Sequence, residues 1–380
     1  MDQYLDLVRN VLQDGNYKPN RTGVDTVSTF MQSYEIDLSE GFPLLTTKKM
    51  DGFRWNSLIH ELLWYFSGEH HIRNLREETK IWDDWADDDW NLPTAYGRFW
   101  RRYPLPDDDG QLEGEWWPVE DADWIDQAAD YYGVDVAEIR EGIQRWVSTE
   151  DGNKVFDQVQ YIIDTLNSDH PYRGPESRRL IVNAWHPANA AVSKLPPCHY
   201  TFAFNVQPRL PGRDGGSSSA SGDAQNDKLN LHLTQRSGDV ALGIPFNIAA
   251  YSLIAHIIAG QTEFEVGTFG HTIVDAHIYC GTGERGAWYS DNLPELQNRL
   301  AAVDDRDGFI DVKRWVEDAA PAEDEDGYDH VPGLLKQLSR EPLDRPRIRV
   351  ADKDLDELEY SDIELEDYES HDGIRFEVAE

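Results

Sequence analysis

Apolar positions recur at helical spacing at the start of the chain. Leu5, Val8 and Leu12 share a face before Gly15, which predicts a first helix. Trp55 to Phe66 predicts a second, with Leu58, Ile59, Leu62 and Leu63 on one face and Gly68 just past its end. Between them Val27 to Leu38 has strand character. Further strands are predicted at Leu180–Trp185, Tyr200–Val206 and Leu229–Gln235, the last from alternating Leu229, Leu231 and Leu233. Ala241 to Gly260 is an apolar run, and the helix expected to start near Pro245 in it is apolar nearly all round, as in a helix that runs through a core. The run has the length of a membrane span, but Pro245, Asn247 and His256 interrupt it and its flanks are polar, so a buried helix ended by Gly260 is expected. Strands and helices mix without a βαβ rhythm. The pattern predicts an α+β fold, helices packed on a mixed sheet, in one domain over 1–380.

Three regions read as additions to this frame, at about 107–155, 209–227 and 281–328. The first is acidic, and Val136, Ile139, Ile143 and Val147 predict one amphipathic helix in it. The second contains GRDGGSSSASGD, a flexible loop between two strands. The third carries Leu293, Leu296, Leu300 and Val303 at helical spacing and the acidic run EDEDG. None holds a residue set that suggests chemistry, and peripheral charged surface is the expectation for all three.

Charge adds a constraint that the hydrophobic pattern does not. Thirty-five Lys and Arg stand against 72 Asp and Glu, a formal net charge of −37. Such a field repels nucleic acid and anionic membranes, so neither is an expected partner. It repels an anionic small substrate too, which then needs a locally cationic site. Acidic chains poor in aromatics are often disordered, but 13 Trp, 17 Tyr and 13 Phe argue for a packed core. The plain reading is a solvated surface, and its extent suggests a halophilic host whose salt screens the repulsion. Two cysteines, Cys198 and Cys280, exclude a disulfide scaffold and fit a reducing, cytoplasmic compartment. MDQYLDLVRN lacks the charged and apolar regions of a signal peptide and reads as a helix start.

Candidate chemistry centres on Cys198. A lone Cys is most often a small buried hydrophobe. This one follows Pro196-Pro197, which stiffen the backbone, and opens a strand beside His199, a good place for a thiolate to meet an electrophile. A nearby Arg would favour the thiolate. Arginines stand beside turns or strand ends at Arg21-Thr22-Gly23, Arg178-Arg179 and Gln235-Arg236-Ser237. Singly, each suits a surface ion pair; converging, they would hold a phosphate. Glu61 lies in an apolar helix, where a carboxylate without a role is rare. Gly281 to Gly286 fits G-x-G-x-x-G but lacks a βαβ context. His70-His71 lacks metal-ligand spacing, and no metal is expected.

Longer stretches carry a family resemblance. They are RTG at Arg21, GFPLLTTKK at Gly41, HELLWYFSG at His60, IWDDWAD at Ile81, YGRFWR at Tyr96 and ESRRLIVNAWHP at Glu176. LPPCH at Leu195, LTQRSGDVALGIPFNIAAY at Leu233, DAHIY at Asp275, LKQLSREP at Leu335 and the terminal HDGIRFEVAE complete the set. Together these resemble the folate-dependent, flavin-independent thymidylate synthase family over the whole chain outside the three added regions.

The resemblance implies that dUMP receives and reduces a one-carbon unit from 5,10-methylenetetrahydrofolate, giving dTMP and dihydrofolate, with no flavin. It implies a homodimer formed through a sheet face. Cys198 would be the nucleophile that adds to C6 of the uracil. Glu61, Tyr96 and His199 would organise water and protons. Asn247 would pair with the uracil edge, though it could instead be a locally capped helix residue. Arg21, Arg236 and Ser237 would bind the nucleotide phosphate, and Gln235 and Asp239 would contribute to the nucleotide site. His277 and Tyr279 would hold the deoxyribose hydroxyl, and Arg178 and Arg179 would reach the phosphate from the partner subunit. Ile81, Trp82, Leu195, Asp239, Gly243, Phe246 and Ala379 would form the folate pocket under a closing C-terminal segment. Trp85 is expected to be a plain core or interface aromatic, and Cys280 inert. Two rivals share the scaffold: a pyrimidine nucleotide hydroxymethylase, and a nucleotide-binding homologue without catalysis. The terminal Glu380 departs from the family's usual aliphatic end and motivates the second.

Overall fold

The structure is a computed structural model that describes residues 1–20, 23–105, 122–133, 135–138, 145–150, 153–168, 174–191, 193–208, 227–322 and 327–378. Helix α1 (Asp2–Asp14) buries Tyr4, Leu5, Leu7, Val8, Val11 and Leu12, the face that the apolar spacing predicts. Helix α2 (Phe53–Ser67) stops at Gly68, whose left-handed φ of 68° suits a residue without Cβ. The short helix α3 (Tyr96–Arg101) packs against α2 through Gly97, where a Cβ would lie 2.1 Å from Tyr65 O. Helix α4 (Gly243–Gly260) meets the length and composition of a membrane span, but 72% of it is buried inside the fold. Helix α5 (Gly283–Ala301) docks on α1.

These helices pack on a seven-stranded mixed sheet made of β1 (Asn16–Lys18), β2 (Thr26–Asp37), β3 (Ile181–Asn183), β4 (His199–Gln207), β5 (Lys228–Gln235), β6 (Gly238–Asp239) and β7 (Glu265–Tyr279). The order is β1–β2–β7–β5–β4–β3, with β6 also pairing to β7. Strands β5 and β6 run parallel to β7, and the other pairs are antiparallel. Parallel neighbours need a crossover, and α4 supplies it between β6 and β7. On β5 the period of two puts Gln235 on the same buried face as Leu229, Leu231 and Leu233. On β2 the buried set shifts from Ile36 to Val27 and Thr29 across Met31, whose φ of 54° kinks the strand.

Three expectations need correction. Strand β7, which pairs on both sides at the middle of the sheet, has no counterpart in the sequence-based prediction. Gly267, Gly270 and interspersed polar residues obscure its alternation. Both glycines sit close to the neighbouring strand: a Cβ at Gly267 would meet Asn230 Oδ1 at 2.3 Å, and one at Gly270 would meet the His232 ring at 3.0 Å. The helix expected over Val136–Val147 is helical at 136–138, where its described part begins, but Val147 instead opens a strand (Val147–Glu150) paired with Asn153–Phe156, and a separate helix, Ala122–Tyr132, precedes it. Ile139 and Ile143 lie outside the described residues, as does the loop over 209–226. The third added region is not merely peripheral. Its helix α5 buries Arg285, which meets Asp329 Oδ2 through Nε at 2.8 Å and Nη2 at 2.7 Å, with Tyr289 OH donating to the same oxygen at 2.8 Å.

Candidate active site

The LPPCH turn delivers Cys198 to the start of β4, half-buried. Arg236, just past the end of β5, reaches back to it. The guanidinium donates through Nε to Pro197 O (2.9 Å) and through Nη2 to Pro196 O (2.7 Å) and to Cys198 Sγ (3.4 Å). Two carbonyls thus fix the cation against the sulfur, and a positive charge at that distance favours the thiolate. The backbone is locked as well: Arg236 N donates to Cys198 O at 2.8 Å, and Cys198 N donates to Tyr96 OH at 2.8 Å.

Tyr96 passes this order on to His199. The two rings stack 3.7 Å apart at 3°, and His199 Nδ1 lies 2.6 Å from Tyr251 OH. Burial pulls the His199 pKa down to about 3, so the imidazole is neutral at ordinary pH. Glu61, on α2, is the opposite case. Burial pushes its carboxyl up to about 7, against the lowering effect of hydrogen bonds from Trp82 Nε1 (2.7 Å) and Tyr65 OH (2.9 Å). A carboxyl poised there can take or give a proton near neutrality.

Glu61, His199 and Asn247 share a cavity of about 270 Å³ with Ile81, Trp82, Leu195, Gly243 and Phe246. Cys198, Arg236, Ser237, Asp239, His277 and Tyr279 are not in that lining; they occupy the adjoining strand ends. Asp239 ends β6, its Oδ1 accepting from Ala241 N (2.8 Å) and Leu242 N (3.3 Å) in the turn that leads to α4. Ser237 Oγ lies 3.5 Å from His277 Nδ1, and the His277 and Tyr279 rings meet edge to face at 5.2 Å. Gln235 Nε2 donates to Asn247 Oδ1 at 3.1 Å. Arg178 and Arg179 are exposed in the loop before β3, away from the cavity lining. Arg21 and Ala379 lie outside the described residues.

Other residues of the site escaped the sequence reading. Trp85, expected to be an ordinary core or interface aromatic, is half-buried and lines the cavity. Tyr251, Tyr65 and Arg54 line it as well. Arg54 carried a signal, since a cation in the first turn of α2 opposes the helix dipole and is kept there for some other reason. Tyr251 carried none, because it sits in a helix that is apolar all round. Lys48 is a further surprise: it is buried, donates to Ala241 O at 2.6 Å, and burial pulls its ammonium down to about 7. Its Nζ lies 5.0 Å from the centre of the Phe376 ring, so the C-terminal segment packs on this buried lysine. His330 Nε2 also bonds Glu377 O, at 2.9 Å. Burial pushes the Cys280 thiol well up, which suits an inert residue. Among the described residues no three His, Cys, Asp or Glu side chains converge as a metal site.

A family model described as "Thymidylate synthase" matches residues 2–380. The chain is 56% identical over 378 residues to a protein named thymidylate synthase from Haloferax volcanii, a halophile; the match covers 99% of this chain and 96% of that relative.

Proposed function

The chain belongs to the thymidylate synthase family and is a methyltransferase of dTMP synthesis, and we propose that it transfers and reduces the one-carbon unit of 5,10-methylenetetrahydrofolate onto C5 of dUMP through a Cys198 adduct. The observation that carries this reading is the Arg236 guanidinium held on Cys198 Sγ at 3.4 Å beside a cavity walled by Glu61, His199 and Asn247. The thiolate adds to C6 of the uracil and C5 becomes nucleophilic. C5 attacks the folate methylene, then loses its proton as the bond from that carbon to the folate nitrogen breaks, which frees tetrahydrofolate and leaves an exocyclic methylene. A hydride from this tetrahydrofolate reduces the methylene, the Cys198 thiolate departs, and dTMP and dihydrofolate result. Glu61 near neutrality, with neutral His199 and Tyr96, organises the water and proton transfers. Asn247 reads the uracil edge. Arg236, Ser237 and Arg21 take the phosphate, with Gln235 and Asp239 completing that side of the site, and His277 and Tyr279 take the 3′-hydroxyl.

The flat apolar wall of Ile81, Trp82, Leu195 and Phe246, opened by Gly243, suits the folate ring system. Ala379 and the rest of the C-terminal segment close over it. A homodimer is supported by the outer sheet face. Phe30 is 84% exposed and Met31 55%, with Ile181 and Val274 also exposed. In such a dimer the exposed Arg178 and Arg179 reach the partner's phosphate. The chain is read as one catalytic domain, and the free cysteines fit a cytoplasmic setting.

The test is a spectroscopic assay for dihydrofolate with dUMP and methylenetetrahydrofolate, run across KCl concentrations. Dihydrofolate formation is expected. Turnover without it would mean hydroxymethylation, and dUMP binding without turnover would mean a non-catalytic homologue. In parallel, Cys198→Ala is expected to abolish the covalent complex with 5-fluoro-dUMP while keeping reversible dUMP binding; a retained adduct would remove Cys198 as nucleophile.

A further inference from the structure

Behind Asn247 the buried Gln235 and His271 and the half-buried Tyr34 form a line of polar groups on the core face of the sheet, where a buried group must find a partner. Tyr34 OH on β2 lies 2.7 Å from His271 Nδ1 on β7. His271 Nε2 lies 2.6 Å from Gln235 Oε1 on β5, and Gln235 Nε2 donates to Asn247 Oδ1 on α4 at 3.1 Å. Three strands are therefore tied through one chain of hydrogen bonds to a single amide on α4.

Such a chain has two self-consistent directions, because an imidazole, a hydroxyl and two amides can all be reversed together. A fixed acceptor removes the choice. Gln235 Nε2 also faces the backbone carbonyl of Ser237 at 3.3 Å, and a carbonyl can only accept. Gln235 must therefore keep its NH2 toward Ser237 and Asn247, and its oxygen toward His271. His271, neutral because burial pulls its pKa to about 3, then carries its proton on Nε2 and accepts from Tyr34 at Nδ1.

The direction matters for the base. Uracil presents N3–H as donor and O4 as acceptor, which an amide meets with oxygen toward N3 and NH2 toward O4. Cytosine presents the reverse, and an amide free to turn over would meet it equally well. We propose that His271 and Tyr34 are positioning residues that hold the Asn247 amide in one orientation and so make the site reject cytosine nucleotides. This rests on the reading of Asn247 as the base-recognition residue.

The test compares dUMP and dCMP dissociation constants by calorimetry for the wild type, Asn247→Ala, His271→Phe and Tyr34→Phe. His271→Phe is expected to narrow the dUMP over dCMP preference by about tenfold and Tyr34→Phe by less, each losing roughly one or two hydrogen bonds. A preference unchanged in His271→Phe, with Asn247→Ala losing it, would overturn the positioning role and leave the base reading standing. A preference unchanged in Asn247→Ala would overturn both. Thermal midpoints measured alongside separate a loss of stability, which a merely structural role predicts, from a change in the ratio, which it does not.

Discussion

Glu61 shows how a single residue trades stability for reactivity. Its folded pKa of about 7 stands above the ordinary carboxyl value of about 4.5. The folded state therefore binds its proton more tightly than the unfolded chain does. That contribution to stability is full below about pH 4.5 and is lost as pH rises through about 7. Gln in its place would still accept from Trp82 and Tyr65 but would never ionise. Glu61→Gln is expected to unfold at a higher temperature than the wild type at pH 8, by an amount worth roughly 2–3 kcal/mol, and to lose that advantage near pH 4. It should also lose most of its turnover. Thermal unfolding followed across pH checks this; a stability difference independent of pH would mean that burial does not set the Glu61 carboxyl.

At the scale of elements, the contact of α2 with α3 holds Cys198 from behind. Gly97 lets the helices approach, and its neighbour Tyr96 then reaches Cys198 N while stacking on His199. A methyl group 2.1 Å from Tyr65 O cannot be absorbed by rotating a side chain, because the obstacle is backbone. Gly97→Ala is expected to cost about 1–3 kcal/mol and to lower turnover more than dUMP affinity, since it displaces Tyr96 rather than the phosphate groups. Denaturant unfolding and steady-state kinetics read the two effects. Unaltered turnover would show that Tyr96 tolerates a shift. The same scale explains the omission of β7 from the sequence prediction: its glycines are spaced for neighbouring strands that the local sequence does not reveal.

The whole molecule carries −37 charges on one folded chain. Screening shortens their reach from about 10 Å at 0.1 M salt to about 3 Å at 1 M. The unfolding midpoint is therefore expected to rise by about 5–10 °C between low and molar KCl, and a midpoint that does not rise would leave the acidity without this role. Screening also bears on substrate capture, because an anionic nucleotide and folate must approach a chain of the same sign. Among the described residues the guanidinium on Cys198 is held by the carbonyl oxygens of Pro196 and Pro197, which orient it without neutralising it.

Much of this protein is written in local pattern. Alternating leucines determine β5, the apolar stripe determines α1 and the all-round apolar run determines α4, because burial of a periodic face acts within a few residues. The motifs around Cys198, Arg236 and Asn247 name the family for a related reason: their chemistry needs particular residue types at particular places. Local pattern does not carry relationships between distant segments. Only the fold brings Arg236 to Cys198, lifts Glu61 toward neutrality, seats Phe376 over Lys48 and sets Tyr34 and His271 behind Asn247. Each depends on desolvation or on a hydrogen bond between strands and helices far apart in the chain, and those exist once the sheet has closed over its core.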